Sequence, residues 1–165
     1  MNDLCLVVQS KISEQIERAI HLAGLVPPER LHWKPDIEGA WPVAIVLGHI
    51  LDCAAGLCAA LAAAEPERLA HFAAMRDLAV NHACTPEEAI ERLAIYRARI
   101  DEAFALLNDA ALAKPIVTVF VAGGEPLLTL LLGNLEHLIN HKHQLFTYLK
   151  QMGVNVGTAD LYRFR

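Results

Sequence analysis

The chain has 165 residues, 55% of them hydrophobic, 20% charged and 6% aromatic. One domain spanning residues 1–165 is expected, long enough to bury a sizeable core, and the apolar content excludes global disorder. A net charge of -5, from 14 Lys+Arg against 19 Asp+Glu, argues against a nucleic-acid partner gripped through its phosphates.

The start, Met1-Asn2-Asp3-Leu4, carries no basic region ahead of an apolar one, so no secretory signal is expected and a cytoplasmic location is. From Asp3 to Gly24, apolar residues recur with helical spacing at Leu4, Val7, Val8, Ile12, Ile16, Ile20 and Leu22. That spacing predicts a first helix with those side chains inward. Pro27-Pro28 ends it, and residues 27–40 read as a loop containing Trp33 and Pro35. The second helix is expected from Pro42, at the first helical position, to Ala64, before Pro66. It is long enough to span a bilayer. Its Ala and Gly content, its lack of flanking basic clusters, and His49 and Asp52 near its middle instead favour a buried bundle helix, with no membrane partner.

Residues 67–80 read as a short extra helix or an irregular connection. Thr85-Pro86-Glu87-Glu88 is a strong helix start, with a Thr cap, Pro at the first position and acids in the first turn. Thr85 and Glu88 also fit a capping box. This third helix is expected to run to about Leu107, with Ile90, Leu93, Ala94, Ile100, Phe104 and Leu107 inward. The β-branched and aromatic run Ile116 to Val121, followed by Gly123-Gly124, predicts a small hairpin. A fourth long helix runs from about Thr129 to Met152, before Gly153. The predicted fold class is all-α: a four-helix bundle with a small β-hairpin before the last helix. Long connections between helices 2 and 3 and between helices 3 and 4 leave room for crossovers. Cys5, Cys53, Cys58 and Cys84 show no paired spacing and read as reduced, mostly buried thiols.

The fourth helix carries the chemistry. At about 100° per residue, Asn134, His137, His141, Gln144 and Tyr148 fall on one narrow arc, while Lys142 lies on the far side. No charged residue lies in the arc. His137 and His141, at i and i+4, stack on one face and can reach one metal ion. An exposed polar stripe explains the same pattern. On the second helix, His49 sits in the apolar run Ile45 to Cys53 and needs a partner there. Metal ligation satisfies that demand, and so does one hydrogen bond to a neighbouring helix. Asp52, at i+3, is a candidate ligand, an acceptor behind a ligand, or a general base. A carboxylate at the open end of the bundle is its plainer reading. Cys53, at i+4, makes a mixed His/Cys site conceivable, although a small buried Cys is the commoner outcome.

The segment Leu31-His32-Trp33-Lys34-Pro35, with Glu38-Gly39-Ala40-Trp41 and Leu47-Gly48-His49 after it, resembles the approach to helix 2 in the DinB-like (YfiT-like) superfamily. The run from His137 to Gly153, with His141, Gln144-Leu145 and Tyr148-Leu149 inside it, resembles that family's helix-4 signature. The resemblance covers nearly the whole chain. It implies a metal triad of His49, His137 and His141. Many members have His-Arg-Gly-Gln where this chain has His141-Lys142-His143-Gln144, and often a further His where it has Asn140. Those departures spare the triad.

Three histidines leave coordination positions open, the pattern of catalytic rather than structural sites. Imidazole suits several divalent transition metals, and zinc or nickel is expected. The resemblance further implies a thiol S-transferase or a hydrolase acting on a small molecule, with a low-molecular-weight thiol as a possible cosubstrate. Asp52 and Tyr148 are the candidate catalytic residues, with Asn134 and Gln144 behind the ligands. The alternative is a metal-binding or dimeric assembly protein without turnover. Leu128, Leu131, Leu135, Leu138 and Phe146 form an apolar face opposite the arc. That face points to a homodimer unless it packs within the monomer.

Overall fold

The computed structural model describes residues 3–117 and 122–162. In chain order it contains α1 (Asp3–Ala23), α2 (Val43–Ala64), α3 (Pro86–Phe104), a short α4 (Asp109–Leu112), β1 (Pro115–Ile116), β2 (Glu125–Pro126), α5 (Leu127–Gln151) and α6 (Thr158–Leu161). A 3-10 turn at Pro28–Arg30 and a 3-10 segment at Ala70–Asp77 lie in the first two connections. The four long helices and the hairpin match the all-α bundle expected. The strands pair antiparallel, Pro115 with Pro126 and Ile116 with Glu125. Residues 118–121 of the expected hairpin lie outside the described residues.

Helices α2 and α5 form the main packing pair, α2 also packs on α3, and α1 packs on α3 and α5 but barely meets α2. The order around the bundle is therefore α1, α3, α2, α5. Helices α1 and α2, and likewise α3 and α5, are therefore consecutive long helices that stand diagonally rather than side by side. The long connection between α2 and α3 joins neighbours, so it is not a crossover. Helix α2 is long and apolar enough to cross a membrane, yet 61% of its apolar window is buried inside the bundle. Its burial is that of a core helix.

On α1 the buried stripe is Cys5, Val8, Ile12, Ile16, Ala19 and Leu22. Leu4 and Val7, expected inward, are exposed at 44% and 64%. The face meeting α3 and α5 passes through Cys5 and Val8, which turns their neighbours out. On α3 the inward residues include Ala89, Leu93, Tyr96 and Ile100, while Ala94 is exposed and the helix stops at Phe104. The α5 apolar face, read as a homodimer surface unless it packs within the monomer, is largely covered by this chain, with Leu128 partly buried. Leu131, Leu135, Leu138 and Phe146 are buried within this chain, because α5 is flanked by both α2 and α1. Lys142, expected on the far side from the histidines, is buried too. Its Nζ donates to Gln15 Oε1 at 2.6 Å and to the Leu161 carbonyl at 3.0 Å, and burial pushes its pKa down to about 8.

Two local devices shape the N-terminal half of α2. Pro42 sits at the cap rather than at the first helical position and offers no side-chain cap. The first amides, of Val43 and Ala44, are instead donated to the carbonyls of Trp33 and Leu31, both at 3.0 Å. This lays the tryptophan-bearing loop across the helix start. At α3 the Glu88 amide donates to Thr85 Oγ1 at 3.2 Å, the expected cap. The Glu88 carboxylate does not return to complete a capping box. It meets His82 Nε2 at 2.8 Å and accepts from Arg92 at 3.1 Å.

Arg92 is 8% exposed and also donates to the Ala79 carbonyl at 3.0 Å and the Tyr96 hydroxyl at 2.7 Å. These bonds hold residues 79–84 flat against α2, where the Cys84 amide reaches the Ala44 carbonyl at 3.1 Å. Gly48 makes this possible, because a Cβ there would overlap the His82 carbonyl oxygen. Gly48→Ala should therefore cost about 1–3 kcal/mol by overpacking against backbone. Gly56→Ala should cost less, since its Cβ would meet only the end of the Asn134 side chain. Urea unfolding of both variants checks this; equal losses would contradict the close approach at Gly48.

Candidate metal centre

His49 projects from α2 toward α5, where His137 and His141 stand one turn apart. The three imidazoles meet. Ring centroids lie 4.9 Å apart for His49 and His137, 4.4 Å for His49 and His141, and 4.8 Å for His137 and His141. Nε2 of His49 is 3.1 Å from Nε2 of His137. Two imidazole nitrogens on a tetrahedral zinc, each at about 2.0–2.1 Å from it, stand about 3.3–3.4 Å apart. The pair is thus already near ligand spacing.

The other ring nitrogens are engaged in ways that set the tautomers. His141 Nδ1 is 2.8 Å from Gln144 Oε1. An amide oxygen only accepts, so Nδ1 carries the proton and Nε2 keeps its lone pair. His49 Nδ1 faces Asp52 Oδ2 at 3.6 Å, which favours a proton on Nδ1 and a free Nε2 directed at His137. Burial is the main reason all three histidines sit below the ordinary histidine pKa, and a neighbouring imidazole adds to it in each case. The Asp52 carboxylate opposes that lowering at His49 and His137. Neutral imidazole is the form that binds metal.

Cys53 lies one turn beyond His49. His49, Cys53 and His137 each offer a ligand atom within 4.8 Å of the others, so this group can hold a metal ion. Cys53 is 1% exposed, and burial, with the nearby Asp52 carboxylate, pushes its thiol up to about 12. It is a protonated, enclosed sulfur beside the cluster.

The remaining expected residues divide. Asp52 is beside His49, and its Oδ2 also accepts the Asn81 amide at 3.0 Å. Its Oδ1 is buried with no hydrogen-bond partner. Gln144 bridges from His141 to Tyr148, donating from Nε2 to the phenol oxygen at 3.2 Å. Tyr148 is 6% exposed, and Trp33 meets its ring edge-on at 5.4 Å. Asn134 is not drawn to the cluster. Its Nδ2 donates to the Leu130 carbonyl at 2.8 Å and its oxygen lies against Gly56, so it serves helix packing.

Three contributors escape a reading by periodicity. Trp41 stacks on His141 at 5.8 Å and 17° and meets His49 edge-on at 5.0 Å. It belongs to a loop, where no repeat singles it out. Asn81, with φ of 50°, takes a left-handed turn that Asn tolerates, and its amide positions Asp52. The Glu88–Arg92 pair holds Asn81's segment in place and is visible in sequence only as a helix cap. Together the arrangement offers a partly exposed cluster of imidazoles with an indole on one side and an oriented carboxylate beside His49.

Comparison with known proteins gives a consistent picture. No curated protein sequence matches the chain. The fold is similar to that of a DinB-like protein, YjoA, from Bacillus subtilis, with a TM-score of 0.70 at 18% identity, over 94% of this chain and 99% of that one. It is also similar to a mutant of the mycothiol-dependent maleylpyruvate isomerase, with a TM-score of 0.51 at 16% identity, over 86% of this chain. The chain spans 60% of that isomerase. Residues 11–145 match the DinB superfamily. The chain belongs to the DinB superfamily.

Proposed function

We propose that this protein is a metal-dependent enzyme of the thiol S-transferase or hydrolase type. His49, His137 and His141 would hold a divalent transition ion, zinc or nickel. The observation that carries this reading is the meeting of three imidazoles from two helices, each kept toward its neutral form. Two of them have Nδ1 turned to an acceptor, leaving Nε2 for a ligand. A core histidine satisfied by one hydrogen bond needs no such convergence. Cys53 is the competing third donor. Its thiol would have to lose a proton from a group held at about 12, whereas His141 has its Nδ1 proton already placed.

When bound, such an ion supplies Lewis acidity to a water or thiol ligand at an open position. The chain's residues do the rest. Asp52, fixed by the Asn81 amide, orients His49 through Oδ2 and keeps Oδ1 free to accept a proton. Tyr148 receives a hydrogen bond from Gln144, which leaves its own hydroxyl proton for an acceptor on a substrate. Trp41 shields one side of the imidazoles from water. The thiol dependence belongs to the isomerase named above; the shared fold supports trying a low-molecular-weight thiol as cosubstrate here.

The reading is tested by metal content of tag-free protein after loading with zinc or nickel. Near one equivalent is expected, with affinity falling more than about 100-fold in His49→Ala, His137→Ala and His141→Ala. Gln144→Ala should lose about 10–100-fold, as removal of a ligand's hydrogen-bond partner does, and Cys53→Ser should lose little. Retention in His141→Ala with loss in Cys53→Ser would replace the third ligand. No uptake by the parent would end the proposal.

A pH dependence follows with a definite sign. Because the three histidines titrate below about 6.5 when folded, the unfolded chain binds more protons just under that pH. Stability of the metal-free protein should thus fall as pH drops through about 6.5. Thermal melts between pH 8 and pH 5 check this, with a shallower fall expected in His137→Ala. The same slope in parent and variant would contradict it.

A further inference from the structure

The outer side of α2, from Ala55 to Ala63, borders a cavity of about 430 Å³. Its walls include Ala55, Ala59 and Ala62 of α2, with Phe72, Met75 and Val80 contributed by the connection to α3. The volume lies within the range of small-molecule pockets, about 300–1,000 Å³. The lining side chains are all apolar. The one thiol among them, Cys58, points to the Tyr96 carbonyl at 3.7 Å and is pushed by burial up to about 12, so it is no nucleophile. A charged ligand would find no charged or hydrogen-bonding side chain here. An uncharged hydrocarbon group needs none.

The cavity neighbours the cluster along two segments of the chain, although none of the three histidines lines it. Ala55 follows Asp52 by three residues on α2, which is under one helical turn. Val80 lines the cavity, and the next residue, Asn81, gives its amide to Asp52 at 3.0 Å. A group filling the cavity would therefore rest on Val80, whose neighbour Asn81 gives its amide to the carboxylate beside His49.

We propose that this cavity binds the uncharged aliphatic or aromatic part of a small molecule whose reactive end lies at the histidine cluster. The proposal rests on the metal-centre reading and adds the substrate's class to it: an apolar molecule rather than a sugar, nucleotide or polyanion.

The probe is N-phenyl-1-naphthylamine, a neutral dye whose emission rises and shifts to the blue in an apolar site. Saturable binding with one dye per chain is expected. Ala59 and Ala63 line the cavity and are exposed, so Ala59→Leu with Ala63→Leu fills the space without disturbing the core. That double variant should bind the dye at least tenfold more weakly and keep its metal stoichiometry. His137→Ala should do the reverse, keeping the dye and losing the metal. Linear alkanols should displace the dye with affinity rising roughly fourfold per added methylene. Absence of saturable binding, or equal binding by the filled variant, overturns the proposal.

The link to the cluster is read on cobalt-loaded protein, by thiolate-to-cobalt absorption with ethanethiol and 1-hexanethiol. The longer thiol should bind at least tenfold tighter in the parent and lose that advantage in the filled variant. Equal affinity of the two thiols in the parent overturns the link. Dye binding without any cobalt uptake overturns it as well, and assigns the failure to the metal centre rather than to the cavity.

Discussion

The close packing of α2 against α5 is the constraint on which the rest of the structure depends. Helix α2 is apolar over almost its whole length and buries most of its surface. Any polar side chain on it must find a partner inside the bundle or carry a desolvation cost. His49 and Asp52 are the strongly polar groups in that helix, and both are oriented by what α5 and the neighbouring connection present to them. His49 meets two further imidazoles; Asp52 meets a backbone amide and His49 itself. The histidine cluster is thus a solution to a packing problem.

That solution needs a second layer. Residues 79–84 lie against α2 only because Gly48 leaves room for the His82 carbonyl and because Arg92 and Glu88 anchor the segment from α3. Arg92 is a buried charge, and a buried charge is tolerated when its donors are paired. Here its two terminal nitrogens are paired with a carboxylate, a carbonyl and a phenol oxygen, while Nε is buried without a partner. The network joins α2 and α3 to one short segment, whose Asn81 bonds to Asp52 and whose Val80 lines the cavity. Position of the carboxylate, shape of the cavity and packing of α3 are coupled through these few residues.

Much of this was legible in the sequence, for reasons that can be named. Helix periodicity and the Thr85-Pro86 start located the long helices to within a few residues, because proline and cap chemistry act locally. The i,i+4 spacing of His137 and His141 predicted that they share a face, and His49's apolar surroundings predicted that it would need a partner. What was not legible depends on packing between distant segments. Val7 and Leu4 fit the apolar pattern of α1, yet tertiary packing chose the stripe through Cys5 and Val8. Periodicity places Lys142 only on the far side of the helix from the histidines; its burial depends on the approach of Gln15 and the Leu161 carbonyl, which provide its acceptors. Glu88 fitted a capping box, but Arg92 and His82 compete for its carboxylate. Trp41 and Asn81 lie in connections, where no period marks a residue as facing a site.

The central claim is that three imidazoles, and not the adjacent thiol, form the donor set. X-ray absorption at the zinc edge, on protein loaded with one equivalent of zinc, tests it directly. Three imidazole nitrogens at about 2.0–2.1 Å with no sulfur neighbour is the expected result. A sulfur shell at about 2.3 Å would contradict it and bring Cys53 into the site in place of His141.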